Sequence, residues 1–81
     1  MKDNRSRMEI NEERESLFID VLGEYGVSYD GDSCLYPYFD QYQRSRFVRR
    51  LEQVFNRMIP ESRKTHIFYI PMSEVLEMFL L

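Results

Sequence analysis

Cysteine occurs once, at Cys34, and histidine once, at His66. A single cysteine excludes an internal disulfide framework, which small secreted domains usually need, so a reducing, cytoplasmic setting is expected. One Cys and one His also fall short of a structural zinc site, which takes four such ligands. Glycine is scarce. Gly23, Gly26 and Gly31 form neither GxGxxG nor GxxxxGK[ST], so no phosphate-cradling loop is present and no cofactor is expected. The apolar runs are only a few residues long, against the ~20 needed to span a bilayer, and no membrane partner is expected. No apolar stretch follows Met1–Arg5, so no signal peptide is expected either.

What the chain does have is a small globular composition: 81 residues, 43% hydrophobic, 15% aromatic and 31% charged. At this length the chain forms one thin-cored domain, burying about 60–65% of the surface its unfolded form exposes. Residues 1–9 are polar and unpatterned and read as a flexible N-terminal tail, with a single globular domain over 10–81.

A first helix is expected from Asn11, a favourable N-cap, with Glu12 and Glu13 in the first turn. Leu17, Phe18, Val21, Leu22 and Tyr25 form its apolar stripe. Gly26 stands where a left-handed closing residue belongs, with Val27 placed to touch Leu22. Asp30-Gly31, between short β-prone runs over 27–36, signals a hairpin. A second helix is expected over 40–59, capped by Asp40 with Gln43 three residues on and stopped by Pro60. Its expected core face is Phe47, Leu51, Val54, Phe55 and Met58. The run 65–70 is β-branched and aromatic and reads as a strand, followed by a short helix over 74–81 capped by Ser73. The order α-β-β-α-β-α predicts an α+β domain, an antiparallel hairpin plus one strand packed on amphipathic helices. The alternative is all-α, with 27–36 an irregular loop.

Catalytic chemistry finds little footing. Asp30-Gly31-Asp32 opens like a calcium loop, but Cys34, Leu35 and Gln41 stand where that loop needs its further ligand, glycine and glutamate. Cys34 and His66 are one conceivable nucleophile–base pair, without an identifiable orienting group, and the packing reading of both is preferred. Glu12/Glu13 and Asp30/Asp32 sit in a first turn and a turn tip, where desolvation is too weak for acid–base work. The expectation is no enzyme, no metal and no catalytic residue.

Charge is distributed unevenly. The net charge of −3 conceals −5 over residues 1–33 and +5 over residues 41–64. Nine of the eleven bases are arginine, the side chain suited to gripping carboxylate or phosphate with two parallel bonds. Arg46, Arg49, Arg50 and Arg57 lie within one arc of the second helix, away from its apolar face, although like charges at i+3 and i+4 repel. Five of the six tyrosines fall between Tyr25 and Tyr42, and Tyr and Arg are enriched where proteins meet.

The candidate partner surface is therefore Arg46, Arg49, Arg50 and Arg57 with Tyr38 and Tyr42. Glu13, Asp20 and Glu24 form an acidic line on the first helix that would pair with these arginines within the fold or across a homodimer axis. The reading is a non-enzymatic interaction protein that inhibits or modulates a partner protein bearing an acidic patch. Viral and mobile-element accessory factors are the expected class. The alternative is a nucleic-acid-binding regulator using the Arg-rich helix 44–57.

Overall fold

The structure, a computed structural model, describes residues 5–81. Four helices carry the described chain: α1 (Arg7–Glu24), α2 (Gln41–Phe55), the single-turn α3 (Glu61–Lys64) and α4 (Met72–Glu77). Two 3-10 turns, Tyr36–Tyr38 and His66–Phe68, lie between them. There is no sheet among the described residues, so the α+β expectation is overturned and the helical alternative is the architecture found.

α1 starts earlier than Asn11. Ser6 is the N-cap, and Ser6 and Glu9 form a reciprocal capping box that satisfies two free amides of the first turn. Residues 7–9, expected as tail, are helical; residues 1–4 of that tail lie outside the described residues. Asn11 instead clasps the backbone of Leu81, accepting from its amide at 2.8 Å and donating to its carbonyl at 3.4 Å. The expected C-terminal stop holds. Gly26 takes φ +72, the amide of Gly26 bonds the Gly23 carbonyl, and that of Val27 bonds the Leu22 carbonyl. This pair of bonds closes a helix through a residue that needs positive φ.

The hairpin does not form because its turn chemistry goes elsewhere. A type I′ turn needs positive φ at both central residues, and Gly31 does not adopt it. The Asp30 carboxylate instead accepts from the Asp32 amide at 3.1 Å and the Ser33 hydroxyl at 2.8 Å, an aspartate-capped turn. The segment then pairs with the entry to α4: Met72 donates its amide to the Ser33 carbonyl, Ser73 to that of Gly31, and Cys34 and Pro71 make one isolated bridge. The strand expected over 65–70 is also absent. Ile67 and Phe68 are both buried while His66 and Tyr69 are exposed, a pattern of adjacent rather than alternate burial that suits a 3-10 turn.

α2 begins as expected, with Asp40 and Gln43 in a capping box. It ends at Phe55 rather than at Ile59, because Asn56 turns left-handed (φ 49) and the Arg57 amide reaches back to the Glu52 carbonyl. Phe47 and Leu51 are fully buried, and Val54 and Phe55 are half-buried against the core. Met58 was expected in that core but is 76% exposed, since it lies beyond the cap and off the helix. α4 runs Met72–Glu77 with Pro71 at its cap position, so the Ser73 cap is not used. Phe39, Phe47, Phe68 and Tyr25 form the aromatic centre of the core, with Phe39 and Phe47 centroids 4.7 Å apart. Phe55 stacks on Phe79 at 4.4 Å and joins α2 to the C-terminal segment. No helix among the described residues is long and apolar enough to cross a membrane.

Candidate functional site

The capping box at Asp40 fixes where α2 starts, and burial of Phe47 and Leu51 fixes its rotation. Together they turn Tyr42, Arg46, Arg49 and Gln53 outward, with Arg50 at one margin. These residues line an open depression of about 840 Å³ whose inner wall is Tyr25 of the α1 cap. The structure thus brings together four of the six residues selected from sequence. Tyr38 is exposed on its 3-10 turn but outside the depression. Arg57 lies past the end of α2 and donates to the Met78 carbonyl, which makes it a latch on the C-terminal segment.

The arginines in the depression differ in availability. Arg50 donates through Nε and Nη2 to the two oxygens of Glu24, at 2.9 and 3.0 Å, a two-bonded fork tying α2 to the end of α1. The bonds from Arg50 hold the Glu24 carboxyl below its ordinary value, and Glu24 raises the Arg50 guanidinium in turn. Of the acidic line on α1, Glu13 pairs with Arg5, and Asp20 has no ion pair among the described residues. Internal neutralisation therefore removes Arg50 only. Arg46 and Arg49 are exposed and have neither ion pair nor hydrogen bond among the described residues. Tyr42, 76% exposed, stands beside them.

A second feature adjoins the first and was not singled out in the sequence. Between the Tyr36–Tyr38 turn, α2 and the 61–69 segment runs a groove of about 550 Å³. It is lined mostly by polar side chains, Glu52 and Glu61 among them, together with the buried Val48 and Phe68 and with Tyr36 and Tyr69, whose rings stack on each other at 4.9 Å. The Arg44 guanidinium lies 4.3 Å from the centre of the Tyr36 ring, a cation–π contact that fixes its orientation. Arg44 Nε is shielded from solvent and has no acceptor. A fully shielded donor without an acceptor costs about 1–3 kcal/mol. At the far end, Lys64 and Glu61 pair at 3.0 Å, which raises the Lys64 amine above its ordinary value. Ser45 and Arg49 line both the depression and the groove, so the two are continuous across that edge of α2. One sequence signal pointed here: Arg44 precedes Phe47 by three and Val48 by four, which places a charge on the apolar side of the helix.

Chemically, the surface offers three arginines without a carboxylate partner among the described residues, Arg44, Arg46 and Arg49, set among four tyrosines. It is suited to holding carboxylates or phosphates beside flat apolar area. Cys34 is half-buried beside Pro71 and His66 is exposed on its turn, with no hydrogen bond between them. No protein-family model, curated protein or solved structure matches the chain.

Proposed function

We propose that this chain is a non-enzymatic interaction protein that binds an acidic patch of a partner protein through the outer face of α2, and so inhibits or modulates that partner. The observation that carries this reading is the pair Arg46 and Arg49. Without an ion pair among the described residues, they stand beside Tyr42 and the bound Arg50 on a chain whose net charge is −3. Placing like charges three and four residues apart costs an isolated helix a few tenths of a kcal/mol per pair, and an acidic partner reverses that sign. Charge-assisted bonds to a desolvated carboxylate contribute about 1.5–3 kcal/mol each. Nucleic acid is the less favoured ligand. A duplex binder engaging about 6–10 phosphates needs as many cations, and this surface offers, among the described residues, three arginines without a carboxylate partner, of which Arg44 is held on Tyr36, next to an acidic α1.

The test is affinity capture from a native lysate with the wild-type chain and with the Arg46→Glu, Arg49→Glu double variant, each before and after nuclease treatment. The expected result is a protein held by the wild type after nuclease and lost from the variant. Capture that vanishes with nuclease assigns the surface to nucleic acid. Equal capture by the variant makes the α2 face a solvated surface only.

A further inference from the structure

We infer that the first two turns of α1 and residues 78–81 form one clasp, which opens and closes as a unit while the rest of the domain stays folded. The clasp stands apart from the α2 depression and does not depend on a partner there. Arg7, Asn11 and Arg14 fall at i, i+4 and i+7, so they share one face of α1. All three hold the backbone of the segment that follows α4. Arg7 donates through Nε to the Leu81 carbonyl at 2.6 Å, and Arg14 through Nη1 to the Phe79 carbonyl at 2.7 Å. Asn11 donates to the Leu81 carbonyl and accepts from the Leu81 amide. Arg57, past the end of α2, donates to the Met78 carbonyl. Every bond from α1 ties residues 7–14 to residues 79–81, so neither piece leaves without breaking the other's contacts.

The burial pattern separates this clasp from the core. Among the described residues, the buried side chains of α1 are Phe18, Val21 and Leu22, all in its second half. Residues 7–14 and 78–81 contribute one buried side chain between them, Phe79, which stacks on Phe55 at 4.4 Å. The other ties are hydrogen bonds at exposed or part-buried positions, where water replaces either partner at little net cost. Regions held by few buried apolar contacts and by solvent-accessible bonds open below the free energy of global unfolding. Opening uncovers Leu17, Val54 and Phe55, which line a depression of about 220 Å³ beside Arg14 and Leu81.

The test is amide hydrogen exchange of the full chain, followed by nitrogen–proton correlation spectra at low urea concentrations. The Leu81 amide, bonded to the Asn11 side chain, reports on the clasp directly. Amides of residues 11–14 and 79–81 are expected to share one protection factor, at least about tenfold below that of Leu22 and Leu51. Their protection is expected to fall with urea, with a smaller slope than that of the core, because only part of the apolar surface is exposed on opening. Ser6→Ala removes the capping box of α1, whose side-chain bonds lie within that helix. It is expected to speed exchange by about fivefold in both groups, the factor that loss of an N-cap supports. Exchange at residues 79–81 left unchanged by Ser6→Ala, or protection in the two groups differing by more than about tenfold, shows two segments fraying separately and overturns the inference. Protection equal to that of Leu22 and Leu51 shows opening only with the whole domain and overturns it as well. Exchange independent of urea overturns the uncovering of Leu17, Val54 and Phe55.

Discussion

Replacing Leu51 with alanine is expected to remove a large part of the stability of this domain, while the same change at Met58 removes almost none. Both residues fall on one apolar face if α2 is continued to Pro60. In the structure Leu51 is fully buried in the core, and Met58 lies beyond the Asn56 cap at 76% exposure. Truncating a buried leucine costs about 2–5 kcal/mol, the transfer of the lost methyl groups plus the cavity they leave. At about 0.05–0.15 kcal/mol per residue, a domain of 81 residues is stable by about 4–12 kcal/mol in total. The loss therefore removes between a sixth and all of it, and lowers the melting temperature by about 8–40 °C. Met58→Ala removes no core contact and is expected to stay within about 0.5 kcal/mol of wild type. Urea denaturation followed by far-ultraviolet circular dichroism measures both, with an unchanged m-value showing that the same surface unfolds. Equal losses at the two positions would refute the placement of the α2 terminus at Phe55.

Two further outcomes follow from the electrostatics. The Asp30 carboxyl is held below its ordinary value, first by the Ser33 hydroxyl and then by the Asp32 amide. The unfolded chain then takes up that proton more readily, so the contribution is complete above about pH 4 and is lost as pH falls through the folded pKa. Urea midpoints between neutral and acid pH are expected to fall less steeply for Asp30→Asn than for wild type; identical acid profiles would contradict the turn described here. Arg50→Glu sets a second carboxylate against Glu24 and is expected to lower the melting temperature, whereas Arg46→Glu relieves repulsion from Arg49 and Arg50 and leaves it unchanged or slightly raised. Thermal melts of the two single variants in low salt separate these effects.

Features fixed by neighbours in the chain were legible in the sequence. The Gly26–Val27 stop and the Asp40–Gln43 capping box each involve residues within a turn of one another, and both stand as read. The β elements failed because strand preference is realised only against a partner strand, and none is present among the described residues. Asp30-Gly31 carries a hairpin signal, but the Asp30 side chain captures the Asp32 amide and the Ser33 hydroxyl, and the chain pairs with the entry to α4 instead. The end of α2 was misplaced because Asn56 accepts a left-handed conformation while the apolar pattern runs on through Met58 and Ile59.

The site divides along the same line. Arg46, Arg49 and Arg50 were grouped from helical spacing and Tyr42 from its place at the start of the same helix, and the four line one depression. Arg57 falls outside that depression because α2 ends at Phe55, and its acceptor, the Met78 carbonyl, is distant in sequence. The Arg44–Tyr36–Tyr69 stack was missed for the same reason, since it joins three separate segments.

The central claim is that the outer face of α2 is where the partner sits. It is tested most directly by an amide nitrogen–proton correlation titration of the labelled chain with a glutamate-rich peptide. Chemical-shift changes are predicted at Tyr42, Ser45, Arg46, Arg49 and Gln53, fading as salt is raised. Changes confined to α1 or α4, or none with the peptide in large excess, would contradict it.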